Sequence, residues 1–142
     1  IVNIASIAAL TGNPRDIHSP EKQEVARRLN QEAERIIYGH PDTAASPLPR
    51  DAVREGDTIR IRFDRTGQGL VTYSGPRPLG FELCAQTCRW AEARLDGDTV
   101  VLNGAGGATR VRYAWAGSPV VNLYSRDGLP VSPFELEISG AK

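Results

Sequence analysis

The sequence predicts an α+β chain in two parts, one buried strand and one amphipathic helix followed by an antiparallel β-sandwich. Three observations predict it. Residues 1–10 are almost continuously apolar (Ile1, Val2, Ile4, Ala5, Ile7, Ala8, Ala9, Leu10) with no clean alternation, the pattern of a parallel strand covered on both faces. Val25, Leu29, Ala33 and Ile36 recur at helical spacing, with Ile37 beside the last. From Thr58 onward the period falls to two, and turn signals recur every few residues.

The first strand ends at Thr11-Gly12-Asn13-Pro14, which carries turn chemistry. A signal-peptide core is the competing reading of the apolar run, but no basic segment precedes it and no cleavage site follows before the helix. Ser19 is placed to cap the helix, Pro20 suits its first position, and Glu21 favours the positive end of the dipole. Glu24, Arg27, Arg28, Gln31, Glu32 and Arg35 cover the polar side, and Gly39 stands where a C-terminal glycine belongs. Residues 41–56, with Pro41, Pro47, Pro49 and Gly56, read as a linker. The expected organisation is therefore 1–40, a linker at 41–56, and a β domain at 57–142.

In the β domain, Ile59, Ile61 and Phe63 alternate with Thr58, Arg60 and Arg62. Further strands are expected at 69–73, 79–84, 88–95, 98–102, 109–115, 119–123 and 134–138. Thr66-Gly67-Gln68-Gly69, Gly75-Pro76, Asp96-Gly97, Gly104–Gly107 and Asp127-Gly128 separate them. Short strands at this spacing predict a sandwich.

Seventeen basic residues balance seventeen acidic ones, and the basic ones are scattered. No net field favours nucleic acid or an anionic membrane as partner, and no apolar run is long enough to span a bilayer. The chain starts at Ile1 and contains no Met, so the expectation is that further sequence lies upstream in the gene or has been removed. The apolar strand supports this, because a parallel strand needs parallel neighbours and no further strand–helix unit follows.

Cys84 and Cys88 flank Ala85-Gln86-Thr87 between strand-like segments. A tight hairpin brings two such Cα atoms to about 5 Å, within disulfide range. The expected bridge pins hairpin register, and it points to a periplasmic or secreted setting. Two reduced thiols are the alternative. A metal site is disfavoured because no second cysteine pair exists and His18 and His40 are far away in sequence. No cofactor is implied.

Asp16-Ile17-His18 precedes the helix cap. An acid beside a histidine on a loop between strand and helix is able to form the base end of a serine-hydrolase relay. The plain alternative is a histidine before a cap, with Asp16 making a local turn bond. No nucleophile accompanies the pair: Ser6 lies in the apolar run, Ser19 is the cap, and Ser118 lacks a glycine-flanked elbow.

Asp16-Ile17-His18, followed by Lys22-Gln23-Glu24-Val25-Ala26-Arg27-Arg28-Leu29, resembles the last active-site block of bacterial sialate O-acetylesterase-like proteins, carbohydrate esterases of the SGNH hydrolase class. Asp96–Leu102, Val111–Trp115, Pro119–Tyr124 and Gly128–Phe134 resemble that family's C-terminal signature. The resemblance covers nearly the whole chain and implies that residues 1–40 end a flavodoxin-like α/β domain. It implies His18 as catalytic histidine and Asp16 as its acid, with the nucleophilic serine in a Gly-x-Ser block outside this chain. Many SGNH enzymes place the acid three residues before the histidine, where this chain has Arg15. The implied partners are an acetylated carbohydrate substrate and the missing N-terminal hydrolase portion, and the implied chemistry leaves these residues inactive alone.

Tyr73, Trp90, Tyr113, Trp115 and Tyr124 give the β domain a second reading as a carbohydrate-binding module. Tyr113 and Trp115 are expected on one sheet face at period two. Exposure discriminates, since solvent-facing rings favour binding and buried rings favour packing. A third reading is a brace for the hydrolase sheet, with Asn122, Tyr124 and the Gly128–Phe134 loop at the docking surface.

Overall fold

A computed structural model of the chain describes residues 22–40, 44–117 and 119–140. The expected strand at 1–10 and the Asp16–His18 pair lie outside the described residues. Helix α1 spans Lys22–Ile36. Its end is wound closed by bonds from Tyr38 N to Ala33 O and from His40 N to Glu34 O, around Gly39 at φ 69°.

Ten strands follow among the described residues: β1 (Leu48–Glu55), β2 (Thr58–Asp64), β3 (Leu70–Thr72), β4 (Phe81–Cys84), β5 (Cys88–Trp90), β6 (Ala93–Asp96), β7 (Thr99–Asn103), β8 (Arg110–Tyr113), β9 (Leu123–Ser125) and β10 (Phe134–Ser139). Eight form one sheet in the order β5-β4-β8-β10-β1-β2-β7-β6, while β3 pairs with β9. The sheet curls. Its two outermost strands, β5 and β6, are consecutive in the chain and separated only by Ala91 and Glu92. Ala91 N donates to Phe81 O on the β4 side, and Asn103 N donates to Glu92 O on the β7 side. One bent segment thus serves both edges, and its two ends leave little unpaired backbone for a foreign strand. The expected single strand at 88–95 is divided at 91–92 because the segment changes partner there.

Three further expectations are corrected. Leu48–Glu55, assigned to the linker, is β1 and sits inside the sheet with Ala52 at 1% exposure. Its pattern hides in the sequence because the strand holds few apolar residues, and Pro49 sits at a register irregularity where a missing donor is tolerated. β1 also pairs in parallel with β10 through Ala52 and Ile138, so the sheet is not antiparallel throughout. The strand expected at 119–123 begins instead at Leu123, where β9 meets β3; Val120 is 77% exposed.

The core lies inside the curl. Phe63 of β2 meets Phe134 of β10 edge-on, with ring centroids 6.0 Å apart, and Phe81 and Tyr113 pack at 4.7 Å. Ile59, Ile61, Val100 and Leu102 are each fully buried beside them. Rings from β2, β4, β8 and β10 therefore converge on Phe134 and share one interior, a cluster that curling of the sheet encloses. Gly80, at φ 94°, admits no side chain there, because a Cβ would stand 2.8 Å from Val121 Cγ1. The Tyr113 hydroxyl is buried with no partner in good geometry among the described residues. Burial pushes its pKa up, and the nearby Leu123 backbone offsets only part of the effect.

Cys84 and Cys88 are cross-strand partners in the β4–β5 hairpin and form a disulfide, with Cα atoms 4.0 Å apart. The loop they close is short, so the bridge constrains the unfolded chain by only about 2 kcal/mol on a chain-entropy argument. It therefore acts mainly to hold register at the closing edge.

Candidate functional site

Helix α1 is amphipathic, yet none of its residues is buried. Leu29 is 38% exposed, Ile36 55% and Ile37 73%. Its apolar stripe instead forms one wall of a groove of about 590 Å³, with Arg28, Leu29, Arg35 and Ile36 on the helix side and Leu48, Leu129, Pro130 and Phe134 opposite. The groove is lined by Ser46 and Ser132 but by no histidine or cysteine, so its described residues hold no nucleophile–base pair. Its chemistry is that of packing or binding.

The polar side of α1 is organised by charge. Glu24 accepts from Arg27 Nη2 at 2.6 Å and from Arg28 Nε at 2.7 Å, and Glu32 accepts from Arg35 Nη2 at 2.6 Å. The Arg27 hydrogen bond, against some burial and with help from Arg28, lowers the Glu24 pKa from 4.5 to about 2. A depressed carboxylate pKa contributes stability above pH 4.5 that is lost as pH falls towards 2. The Glu24 side chain is 34% exposed, so solvent screening holds the effect below about 1 kcal/mol. Far-UV circular dichroism is expected to show α1 loosening across that window. High salt should shrink the difference between wild type and Glu24→Gln.

The C-terminal loops expected to form a docking surface behave in two ways. Asn122 is turned inward, 6% exposed. Its Oδ1 accepts from Leu79 N at 2.9 Å, and its Nδ2 donates to Arg77 O at 2.9 Å and Tyr73 O at 3.1 Å. It is a clamp on the loop between β3 and β4, not a contact residue. Asn122→Leu would strand three backbone groups and should cost about 2–4 kcal/mol, read from a urea unfolding curve. Residues 129–134, by contrast, form the groove wall facing α1, which brings the predicted loop against the predicted helix. Sequence reasoning did not find this groove, because its two walls lie far apart in the chain and each alone reads as ordinary packing.

The five aromatic candidates separate by exposure. Tyr113 is fully buried, while Trp90 is 68%, Trp115 51% and Tyr73 47% exposed. Tyr124 is half-buried and meets Tyr73 edge-on at 5.0 Å. Trp115 does not share a face with Tyr113 as period two predicted. β8 ends at Tyr113 and Ala114 takes φ 55°, a left-handed step that turns the chain and throws the indole outward. Arg112 stands over that indole, 5.1 Å from its centroid. Among the described residues no His/Cys/Asp/Glu cluster suits a metal ion.

No model of a known family and no curated protein matches the chain. The structure is similar to the crystal structure of a carbohydrate acetylesterase from Xanthomonas citri, with a TM-score of 0.79 and 36% sequence identity. The likeness covers 88% of this chain and 30% of that one. The neighbour is a carbohydrate esterase. An identity of 36% across most of the chain is a relation of sequence as well as fold.

Proposed function

We propose that these 142 residues are the C-terminal portion of a carbohydrate O-acetylesterase of the sialate O-acetylesterase-like, SGNH kind. The single observation that carries the reading is the likeness to the Xanthomonas citri carbohydrate acetylesterase over 88% of the chain. The chain spans about 30% of that neighbour, which accords with a nucleophilic serine supplied from outside the chain. In this reading residues 1–40 end a flavodoxin-like hydrolase domain, and the β region is an appended sandwich. In this reading the β region begins at Leu48, a choice supported by the pairing of β1 within the curled sheet.

His18 takes the proton of the serine hydroxyl as it attacks the acetyl carbonyl, then returns it to the departing sugar oxygen. Asp16 holds the imidazole in the required tautomer and stabilises the imidazolium. The substrate is an acetylated carbohydrate, and the N-terminal hydrolase portion is the obligatory partner. Neither nucleic acid nor a membrane enters the reading, and the chain alone is inactive. The Cys84–Cys88 disulfide supports a periplasmic or secreted location. The groove between α1 and residues 129–134 supports a bracing role for the β region.

The test is fluorophosphonate labelling of a preparation containing the hydrolase portion, with peptide mapping of the labelled serine. Labelling of a serine outside these residues, together with release of acetate from an acetylated glycan, is the expected result. Absence of label from the intact protein would sink the esterase reading.

A further inference from the structure

The outward face of β5, β4, β8 and β10 carries one row of side chains fixed by strand register. Trp90 lies opposite Glu82, Glu82 opposite Arg112 and Arg112 opposite Glu135. The alternate residues Phe81, Val111, Tyr113 and Phe134 are buried in the core, so this row faces solvent. Trp90 and Trp115 are the two tryptophans of the chain, and both are more than half exposed. Two large exposed indoles flanking one polar row offer apolar area that a ligand can cover.

The second indole is also held in place. The Arg112 guanidinium stacks 5.1 Å from the Trp115 centroid, and Arg112 Nε is hydrogen-bonded to Glu135. Trp90 and Arg112 are separated by one strand, so they stand roughly 10 Å apart, about the length of two linked pyranose rings. Between them the Glu82 carboxylate makes no ion pair among the described residues. The charges here nearly cancel, since Glu82, Glu135 and Glu137 oppose Arg110 and Arg112.

The geometry points to a binding face for a neutral pyranose chain. The indoles cover the apolar C–H faces of the sugars, while Glu82 accepts and Arg112 donates hydrogen bonds at the hydroxyl edges. A chain of pyranoses presents both surfaces in alternation, as this row does. With one carboxylate in excess, the row repels a polyanion and offers a polycation only a single unbalanced charge. An apolar protein surface would leave the Glu82 carboxylate desolvated without a partner. The proposal rests on the esterase reading only for its choice of ligand class.

Because both tryptophans lie on this face, tryptophan emission excited where tyrosine does not absorb reports on it alone. Titration of the 142-residue chain with xylohexaose and with cellohexaose should blue-shift the emission and protect it from acrylamide. Trp90→Ala and Trp115→Ala should each weaken binding about tenfold, equivalent to about 1.4 kcal/mol. Trp90→Phe and Trp115→Phe assign the signal with an aromatic ring retained. Unchanged emission with both oligosaccharides, or binding undiminished in both alanine variants, would overturn the proposal. So would indoles already shielded from acrylamide when the hydrolase portion is attached, which would make this a packing face. Absence of glycan binding by the unsubstituted protein with acetyl-ester hydrolysis present counts against this face alone; binding without hydrolysis counts against the esterase reading alone.

Discussion

In the proposed mechanism, replacing His18 by alanine in a polypeptide that also carries the nucleophilic serine is expected to lower kcat for acetyl-ester hydrolysis by on the order of 10⁴ or more. The size follows from the role. Without the imidazole, the serine hydroxyl must lose its proton to water, and the departing sugar oxygen receives none. Hydrogen-bond donors for the oxyanion would survive, so residual hydrolysis should persist above the rate in water. KM should change little, because the histidine acts in the transition state more than in binding. Asp16→Asn should fall between wild type and His18→Ala, because it leaves the imidazole in place but unsupported. A His18→Ala variant that keeps wild-type kcat on an acetylated glycan would remove His18 from the mechanism and leave the β region as the chain's only functional part.

Phe81→Ala is expected to be the most damaging single change in the curled sheet. Its ring contacts Tyr113 at 4.7 Å and lies 6.3 Å from Phe134, and it is 1% exposed. Truncating it forfeits the transfer free energy of the ring and opens a cavity that the surrounding strands cannot close, because β4 is hydrogen-bonded on both sides, to β5 and β8. The expected cost is about 3–5 kcal/mol, a large part of the 5–15 kcal/mol that typically separates folded from unfolded domains. In urea the midpoint should fall by roughly 1–3 M. Phe81→Leu, which keeps most of the volume, should cost less than about half as much. If alanine and leucine cost the same, the aromatic cluster is not what holds the curl closed.

Much of the β region was legible because its rules are local. Ile59, Ile61 and Phe63 alternate with Arg60 and Arg62, and all three apolar residues are buried. Asp96-Gly97 is the turn between β6 and β7, with Gly97 at φ 58°. Cys84 and Cys88 bracket the short hairpin that pairs them. The helix was legible too, from apolar spacing and from Gly39. Each of these features is set by residues within a few positions of one another.

β1 escaped because a strand flanked by partners needs little hydrophobic contrast of its own. Its main-chain bonds to β2 and β10 define it, and one of those partners lies at the far end of the chain. Trp115 was assigned to the wrong face because period two holds only while the strand lasts, and Ala114 ends it with a left-handed residue that no local motif announces. The apolar stripe of α1 predicted a buried face. Its partial exposure among the described residues shows that a stripe specifies a need for cover, not what supplies the cover.

By itself the sequence determined the helix, most of the strands, the turns and the disulfide, because backbone preference, capping and side-chain period act over short distances. Only the tertiary structure decided that β5 and β6 are the two edges of one curled sheet, that β1 and β10 run parallel, and that Asn122 is a buried clamp. It also decided that Tyr113 is core while Trp90 and Trp115 face solvent. Those outcomes depend on which distant segments bury one another's surface, a free-energy comparison made over the whole chain at once.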